Sequence, residues 1–354
     1  MPSSNPLVLL AGDHFVLPEL LRDAVRAEAA DAVRFREITL EWPYVPFGPV
    51  AEVIEASGTE EQLIEALSGV SVCVTQMAPF TERVLEAAGD LRLVCVGRGG
   101  PVNVNLAAAT ERGVAVCYAP GRNAAATAEH SVALILAAAR GVPDLHTELR
   151  AGRWRSDYYA YDNCGFELDG ATVGLVGYGA IGGRVARAMS ALGATILVYD
   201  PYVSTDSLDG PVELVTLEEL LGRADVVSLH ARLTPETDSM IGRAQIQAMR
   251  PGSVLVNCAR GGLLDHEALC DALDSGHLRA AALDVFDLEP LPLGSRILTT
   301  PRLVLTPHVA GASRQVARKA ATITAAEVGR FLRGEPLAHC ANPAVLAEGR
   351  VRRG

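Results

Sequence analysis

The stretch Thr172–Asp200, TVGLVGYGAIGGRVARAMSALGATILVYD, decides the fold. A β-branched apolar run enters Gly177-Tyr178-Gly179-Ala180-Ile181-Gly182, a helical pattern follows, and a second apolar run closes on Asp200. Gly177 permits a tight turn, Gly179 lets the backbone approach a pyrophosphate, and Gly182 lets the helix pack closely on the sheet. The helix start offers free N–H groups to phosphate oxygens. Asp200 can accept hydrogen bonds from a ribose diol but would meet a 2′-phosphate with like charge, and Pro201-Tyr202 supply no arginine to relieve it. The stretch therefore reads as a dinucleotide site that selects NAD over NADP.

Working outward, short β-branched runs alternate with helical patterns along most of the chain, the mark of parallel sheets covered by helices. In the second half, strands are expected at 173–176, 195–199, 225–229, 253–257, 280–283 and 303–305, six in all. Before Gly121 a separate alternation, with strands near 7–10, 71–74, 93–96 and 114–117, carries no nucleotide fingerprint. The expected architecture is α/β: two Rossmann-like, doubly wound parallel-sheet domains with the active site in a cleft between them. Residues 1–120 with 312–340 form the expected substrate-binding domain, completed by a helix over 315–333. Residues 121–311 form the expected NAD-binding domain, and 341–354 a solvated tail. The segment 150–170, with Trp154, Tyr158, Tyr159 and Tyr161, reads as a surface arm or subunit contact.

At 354 residues and 49% apolar content, the chain can bury a large core. A formal charge of −11 leaves no broad basic field of the kind that nucleic acid or an anionic membrane surface would require. The apolar run 7–10 follows no basic patch and is too short for a signal peptide, and Glu129 and His130 interrupt the most apolar helix candidate, 124–139. Neither export nor a membrane span is expected. The seven cysteines form no CxxC pair and no Cys/His cluster, which points to reduced thiols in a cytoplasmic protein that binds no metal.

Three later strand ends carry polar groups: Arg260 in Asn257-Cys258-Ala259-Arg260-Gly261, Glu289 in the run from Asp284 to Leu291, and His308 in Thr306-Pro307-His308-Val309-Ala310-Gly311. In a doubly wound sheet the carboxyl ends of the strands face the ligand crevice, so the three can converge. Oxidising an alcohol with NAD takes a base for the hydroxyl proton, a cation for a neighbouring carboxylate and a group that orients the base. An imidazole titrates near neutrality, an adjacent carboxylate favours its charged form, and a guanidinium grips a carboxylate with a planar fork.

These motifs, with the run from Ser228 to Thr237, resemble in order and spacing the D-isomer-specific 2-hydroxyacid dehydrogenase family, in particular its phosphoglycerate dehydrogenase-like branch. The resemblance covers nearly the whole chain. It implies interconversion of a D-2-hydroxy acid and its 2-oxo acid with NAD, in a homodimer joined through the nucleotide domains. By that resemblance His308 is the acid/base, Glu289 its partner, and Arg260 the group that binds the substrate carboxylate. It further implies that backbone N–H groups around Arg98, Gly99 and Gly100 bind substrate, that Cys258, Ala259, Asp284, Ala310 and Gly311 border the nicotinamide, and that His230 and Ala231 lie near the cofactor.

Two departures concern the substrate. The run 74–79 lacks the Arg-Ser pair of phosphoglycerate-type members, and Arg232 stands where the family has proline. Both put 3-phosphoglycerate in doubt and leave a sugar-derived or other polar 2-hydroxy acid, with Arg98, Arg122 or Arg232 as extra anion contacts. The alternative reading is an NADH-sensing, corepressor-like binding protein on the same fold, which keeps the same polar triad; the acidic composition favours the enzyme.

Overall fold

The computed structural model describes residues 5–29, 32–41 and 48–347, so positions 348–354 of the expected tail lie outside the described residues. The chain divides into two compact units, Met1–Asn123 with Ser313–Gly354, and Ala124–Ala312. Gly121, Arg122 and Asn123 thus belong to the first unit and Ala312 to the second, the reverse of the assignment read from sequence. Among the described residues no helix is long and apolar enough to cross a membrane.

The first unit contains β1 (Leu7–Gly12), β2 (Arg34–Thr39), the antiparallel pair β3 (Gly48–Val50) and β4 (Val53–Ala56), β5 (Val72–Thr75), β6 (Leu93–Val96) and β7 (Ala115–Tyr118). Its main sheet runs β2-β1-β5-β6-β7, with every pairing parallel. Strands β5 and β6 are buried along their whole length, as expected of short apolar runs covered on both faces. On one face, Leu21 and Val25 of helix Pro18–Ala29 and Ala317, Ala320, Ala321 and Val328 of helix Arg314–Leu332 join Val8, Leu10, Val72 and Val74 in one core. The alanine-rich face of the long helix lets it lie close to the sheet.

Part of the expected tail is structural, which corrects the sequence reading. Asn342 is buried; its Oδ1 accepts the Val116 N–H at 2.9 Å and its Nδ2 donates to the Val114 carbonyl at 2.9 Å and to Thr110 Oγ1 at 3.0 Å. Val345 is fully buried in the same core. An exposed β7 edge would leave its N–H and C=O groups bare, and this segment covers part of it.

The second unit contains β8 (Thr172–Val176), β9 (Thr195–Tyr199), β10 (Val212–Leu214), β11 (Val226–Leu229), β12 (Ser253–Asn257), β13 (Leu278–Leu283) and β14 (Leu303–Leu305). Its all-parallel sheet runs β10-β9-β8-β11-β12-β13-β14, the dinucleotide-fold order with one further strand at the far edge. The sequence count of six missed β10, a three-residue edge strand that follows Gly210-Pro211 and pairs only with β9. The segment after Arg150 carries Trp154, Tyr159 and Tyr161 at 85, 94 and 91% exposure, and Arg279 anchors its far end through the carbonyls of Asn163 and Cys164.

Candidate active site

The glycine turn sits between β8 and helix Gly182–Ala191. Gly177 has φ +103°, and a Cβ there would lie 2.7 Å from the His230 carbonyl carbon, so no larger residue fits this turn. A Cβ on Gly182 would meet the Gly177 carbonyl oxygen at 2.3 Å, whereas one on Gly179 would meet nothing. The open side of Gly179 is where a pyrophosphate would approach. The N–H groups of Gly179, Ala180 and Ile181 have no acceptor among the described residues. Tyr178, Gly179, Ala180, Arg184 and Arg187 line a cavity of about 370 Å³.

Asp200 directly follows β9, its Oδ2 accepting the Tyr178 N–H at 2.8 Å and its Oδ1 the Tyr202 N–H at 2.9 Å. Each oxygen keeps a lone pair for a ribose hydroxyl. Free amides, a helix start, open space and a terminal carboxylate together fit NAD.

The three polar strand ends come together on the second unit. His308 Nδ1 lies 2.6 Å from Glu289 Oε2, and Glu289 Oε1 accepts the Phe286 N–H at 2.8 Å. Hydrogen bonding to Glu289 raises the His308 pKa above its ordinary value, against burial and the Arg260 charge. Burial alone would raise Glu289, but the bond to His308, the Phe286 N–H and the His308 and Arg260 charges outweigh it and hold the carboxyl low. The pair is fully charged only above the depressed Glu289 pKa and below the raised His308 pKa. Its contribution to stability is lost as pH falls through the first or rises through the second.

Arg260 is exposed, its Nη1 donating to the Ala259 carbonyl at 2.6 Å. A Cβ on Gly261 would fall 1.9 Å from the Phe286 carbonyl carbon, so the glycine is what lets the Arg260 turn touch the 286–287 turn that leads to Glu289.

Two buried side chains missed as structural by sequence reasoning hold these turns. Asn257 bridges the Arg260 turn, its Nδ2 donating to the Arg260 carbonyl at 2.8 Å and its Oδ1 accepting the Ala259 N–H at 3.0 Å. Asp284, fully buried, accepts from Thr306 Oγ1 at 2.6 Å, the Val309 N–H at 2.9 Å and the Ala310 N–H at 2.8 Å, bracketing His308 on both sides. His130 adds a contact, its Nε2 3.0 Å from Thr306 Oγ1. Asp284 was expected only beside the nicotinamide and Asn257 only as part of its motif, because their partners lie on turns that the fold alone brings near.

Of the other expected residues, Cys258 and Ala310 are buried in the core of the second unit, Cys258 with its thiol pushed up to about 12 by burial. Gly311 and Ala259 are half-buried. The His230 ring is pushed down to about 4 by burial, its Nε2 3.0 Å from Ser228 Oγ, and the Ala231 N–H lies against the glycine turn. In the first unit Arg98 is ion-paired with Glu55, while the N–H groups of Gly99 and Gly100 have no acceptor among the described residues.

This combination defines a dinucleotide-binding α/β protein with a histidine, a carboxylate and an arginine at the carboxyl edge of its sheet. The chain belongs to the D-isomer specific 2-hydroxyacid dehydrogenase family: residues 132–310 match that family's NAD binding domain. Over 291 residues it is 42% identical to D-3-phosphoglycerate dehydrogenase of Methanocaldococcus jannaschii, covering 81% of this chain and 54% of that protein. The chain thus spans about half the length of such curated relatives. It is 38% identical to glyoxylate reductase of Korarchaeum cryptofilum over 79% of this chain and 85% of that protein. A crystal structure of a Thermus thermophilus protein is similar with a TM-score of 0.77 and 31% identity, covering 95% of this chain and 99% of that one.

Gly261→Ala forces apart the turns that carry Arg260 and Glu289. Overpacking of this kind is expected to destabilise the protein by about 1–3 kcal/mol. Urea unfolding checks it, and an unchanged midpoint would contradict the close approach.

Proposed function

We propose that the protein is an NAD-dependent D-2-hydroxyacid dehydrogenase in which His308 is the acid/base, Glu289 orients it, and Arg260 binds the substrate carboxylate. The observation that carries this reading is the 2.6 Å bond between His308 Nδ1 and Glu289, which leaves Nε2 without a partner among the described residues and able to exchange a proton with substrate. NAD, when bound, supplies the hydride acceptor for oxidation, and NADH the donor for reduction. Protonated His308 gives its Nε2 proton to the oxygen of a 2-oxo acid as it is reduced, and takes the hydroxyl proton in the reverse direction. Most of the Arg260 guanidinium is uncommitted and can hold the carboxylate as a planar fork. The Gly99 and Gly100 amides are the further substrate contacts in this reading, and Cys258, Ala259, Asp284, Ala310, Gly311, His230 and Ala231 border the cofactor.

The relatives compared are named as dehydrogenases and a reductase, which favours turnover over nucleotide sensing. A cytoplasmic location belongs to the same reading and rests on seven free cysteines, Cys164 among them exposed.

The test is NADH absorbance with a panel of 2-oxo acids. Consumption is expected, and its loss in His308→Ala with NADH binding retained would fix the role of the imidazole. As pH rises through the raised His308 pKa the proton donor disappears, so kcat/KM for reduction falls with a midpoint above about 6.5. Glu289→Gln removes the charge that holds the proton and lowers that midpoint. A midpoint that does not move would remove Glu289 from its assigned role.

Asp200→Ala removes the carboxylate that would repel a 2′-phosphate. The ratio of kcat/KM for NADH over NADPH is expected to fall; an unchanged ratio would show that selection lies elsewhere.

A homodimer through the second unit is also part of this proposal. Helix Val142–Arg150 buries none of its residues, and Leu136, Val142, Leu145 and Leu149 are exposed together with the aromatic arm. Such an apolar surface calls for a cover, and a second copy of the chain supplies one. Light scattering is expected to give the mass of two chains for the wild type and one for Leu149→Glu. A single-chain mass for the wild type would refute the dimer.

A further inference from the structure

Three of the seven cysteines lie together in the first unit, and the reaction proposed above makes no use of them. Cys95, Cys117 and Cys340 share one core with helix Arg314–Leu332. Cys95 and Cys117 are direct partners in the register of β6 with β7, and Cys340 pairs with Cys117 as an antiparallel bridge. Cys95 and Cys117 are fully buried; Cys340 is half-buried, so it is the thiol of the three that solvent reaches. Among the described residues no group of histidines, cysteines and carboxylates is arranged to hold a metal ion, which leaves the thiols to react with one another.

The backbone around the bridge fixes its geometry. The Tyr118 N–H donates to the His339 carbonyl at 3.1 Å and the Ala341 N–H to the Val116 carbonyl at 2.7 Å, so hydrogen bonds flank the pair Cys117 and Cys340 and do not link it directly. In an antiparallel ladder such a pair has its Cα atoms about 4.5 Å apart and its side chains close together on one face. That separation falls within the roughly 4.4–6.8 Å that a disulfide spans. Cys117 Sγ also lies 3.6 Å from Oε2 of Glu327, a carboxylate 1% exposed that accepts the Ala338 N–H at 3.0 Å. Contact with Cys340 lowers the Cys117 pKa, but Cys95, burial and the Glu327 charge outweigh it, while contact with Cys117 and burial raise that of Cys340. Both thiols therefore stay protonated near neutrality, and exchange is slow.

We propose that Cys117 and Cys340 are a disulfide-forming pair, which a small-molecule disulfide oxidises so that segment 338–342 is stapled to the edge of β7. The Cys340 thiol loses its proton to solvent and attacks one sulfur of the oxidant, expelling a thiolate and leaving a mixed disulfide. The Cys117 thiol passes its proton to Glu327 and attacks Cys340 Sγ, expelling the second thiolate. Each expelled thiolate takes up one of the protons, so two protein thiols are oxidised and one disulfide is reduced to two thiols. The new bond closes a loop that holds the whole of Ala124–Ala312, a large constraint on the unfolded chain. None of this depends on the dehydrogenase reading.

The experiment exposes the full-length protein to oxidised glutathione for hours at neutral pH, blocks free thiols with iodoacetamide and digests with trypsin without reductant. The three cysteines fall on separate tryptic peptides, 93–98, 113–122 and 334–350. Mass spectrometry is expected to find 113–122 joined to 334–350, with a linked-to-free ratio at least about tenfold higher in the folded protein than in urea. Cys95→Ala keeps the link; Cys340→Ser abolishes it and leaves Cys117 free. The urea midpoint of the wild type rises on oxidation, and that of Cys340→Ser does not. A link to 93–98 instead, glutathione on Cys340 without a link, or an oxidised midpoint at or below the reduced one would overturn the proposal.

Discussion

The buried carboxylate of Asp284 is the constraint on which the sheet edge carrying His308 depends. His308 has φ +53°, a left-handed conformation uncommon for any residue but glycine. Such a backbone costs about 1–3 kcal/mol and persists only where its surroundings over-determine it. Asp284 does so from inside the core, accepting the Val309 and Ala310 amides just after the histidine and the Thr306 hydroxyl just before it. Asn257 does the same for the turn of Arg260. The two groups that face solvent are therefore held by backbone fixed in the dry interior, where hydrogen bonds are strong and alternatives few.

The same edge shows how environment alone separates two histidines. His308 has a carboxylate at bonding distance and is held toward its charged form, while the His230 ring, just after β11, meets the Ser228 hydroxyl and is driven toward neutrality by burial. Arg260 works against the proton on His308 and in favour of the charge on Glu289. The carboxylate thus favours the imidazolium, and the guanidinium offsets part of that contribution.

Much of this was legible in the sequence because local chemistry carried it. The glycine turn, the apolar central strands and the polar strand ends all announce themselves within a few residues. What was illegible depended on distant partners. Strand β2 carries Arg34, Arg36 and Glu37 among its six residues, and only its pairing with β1 marks it as a strand. Strand β10 has three residues at an edge. Asn342 reads as tail polarity until the amide of Val116, more than two hundred residues earlier, is seen to need an acceptor.

The first unit is built from both sides of the second. Its sheet is laid down by the first 123 residues, whereas the 19-residue helix Arg314–Leu332 that covers one face follows the whole of Ala124–Ala312. During synthesis the second unit can close as one continuous piece of chain, while Val8, Leu10, Val72 and Val74 wait for alanines not yet made. The half that emerges first from the ribosome is in this sense the half that finishes last, and in the interval its uncovered apolar face is a natural client surface for chaperones.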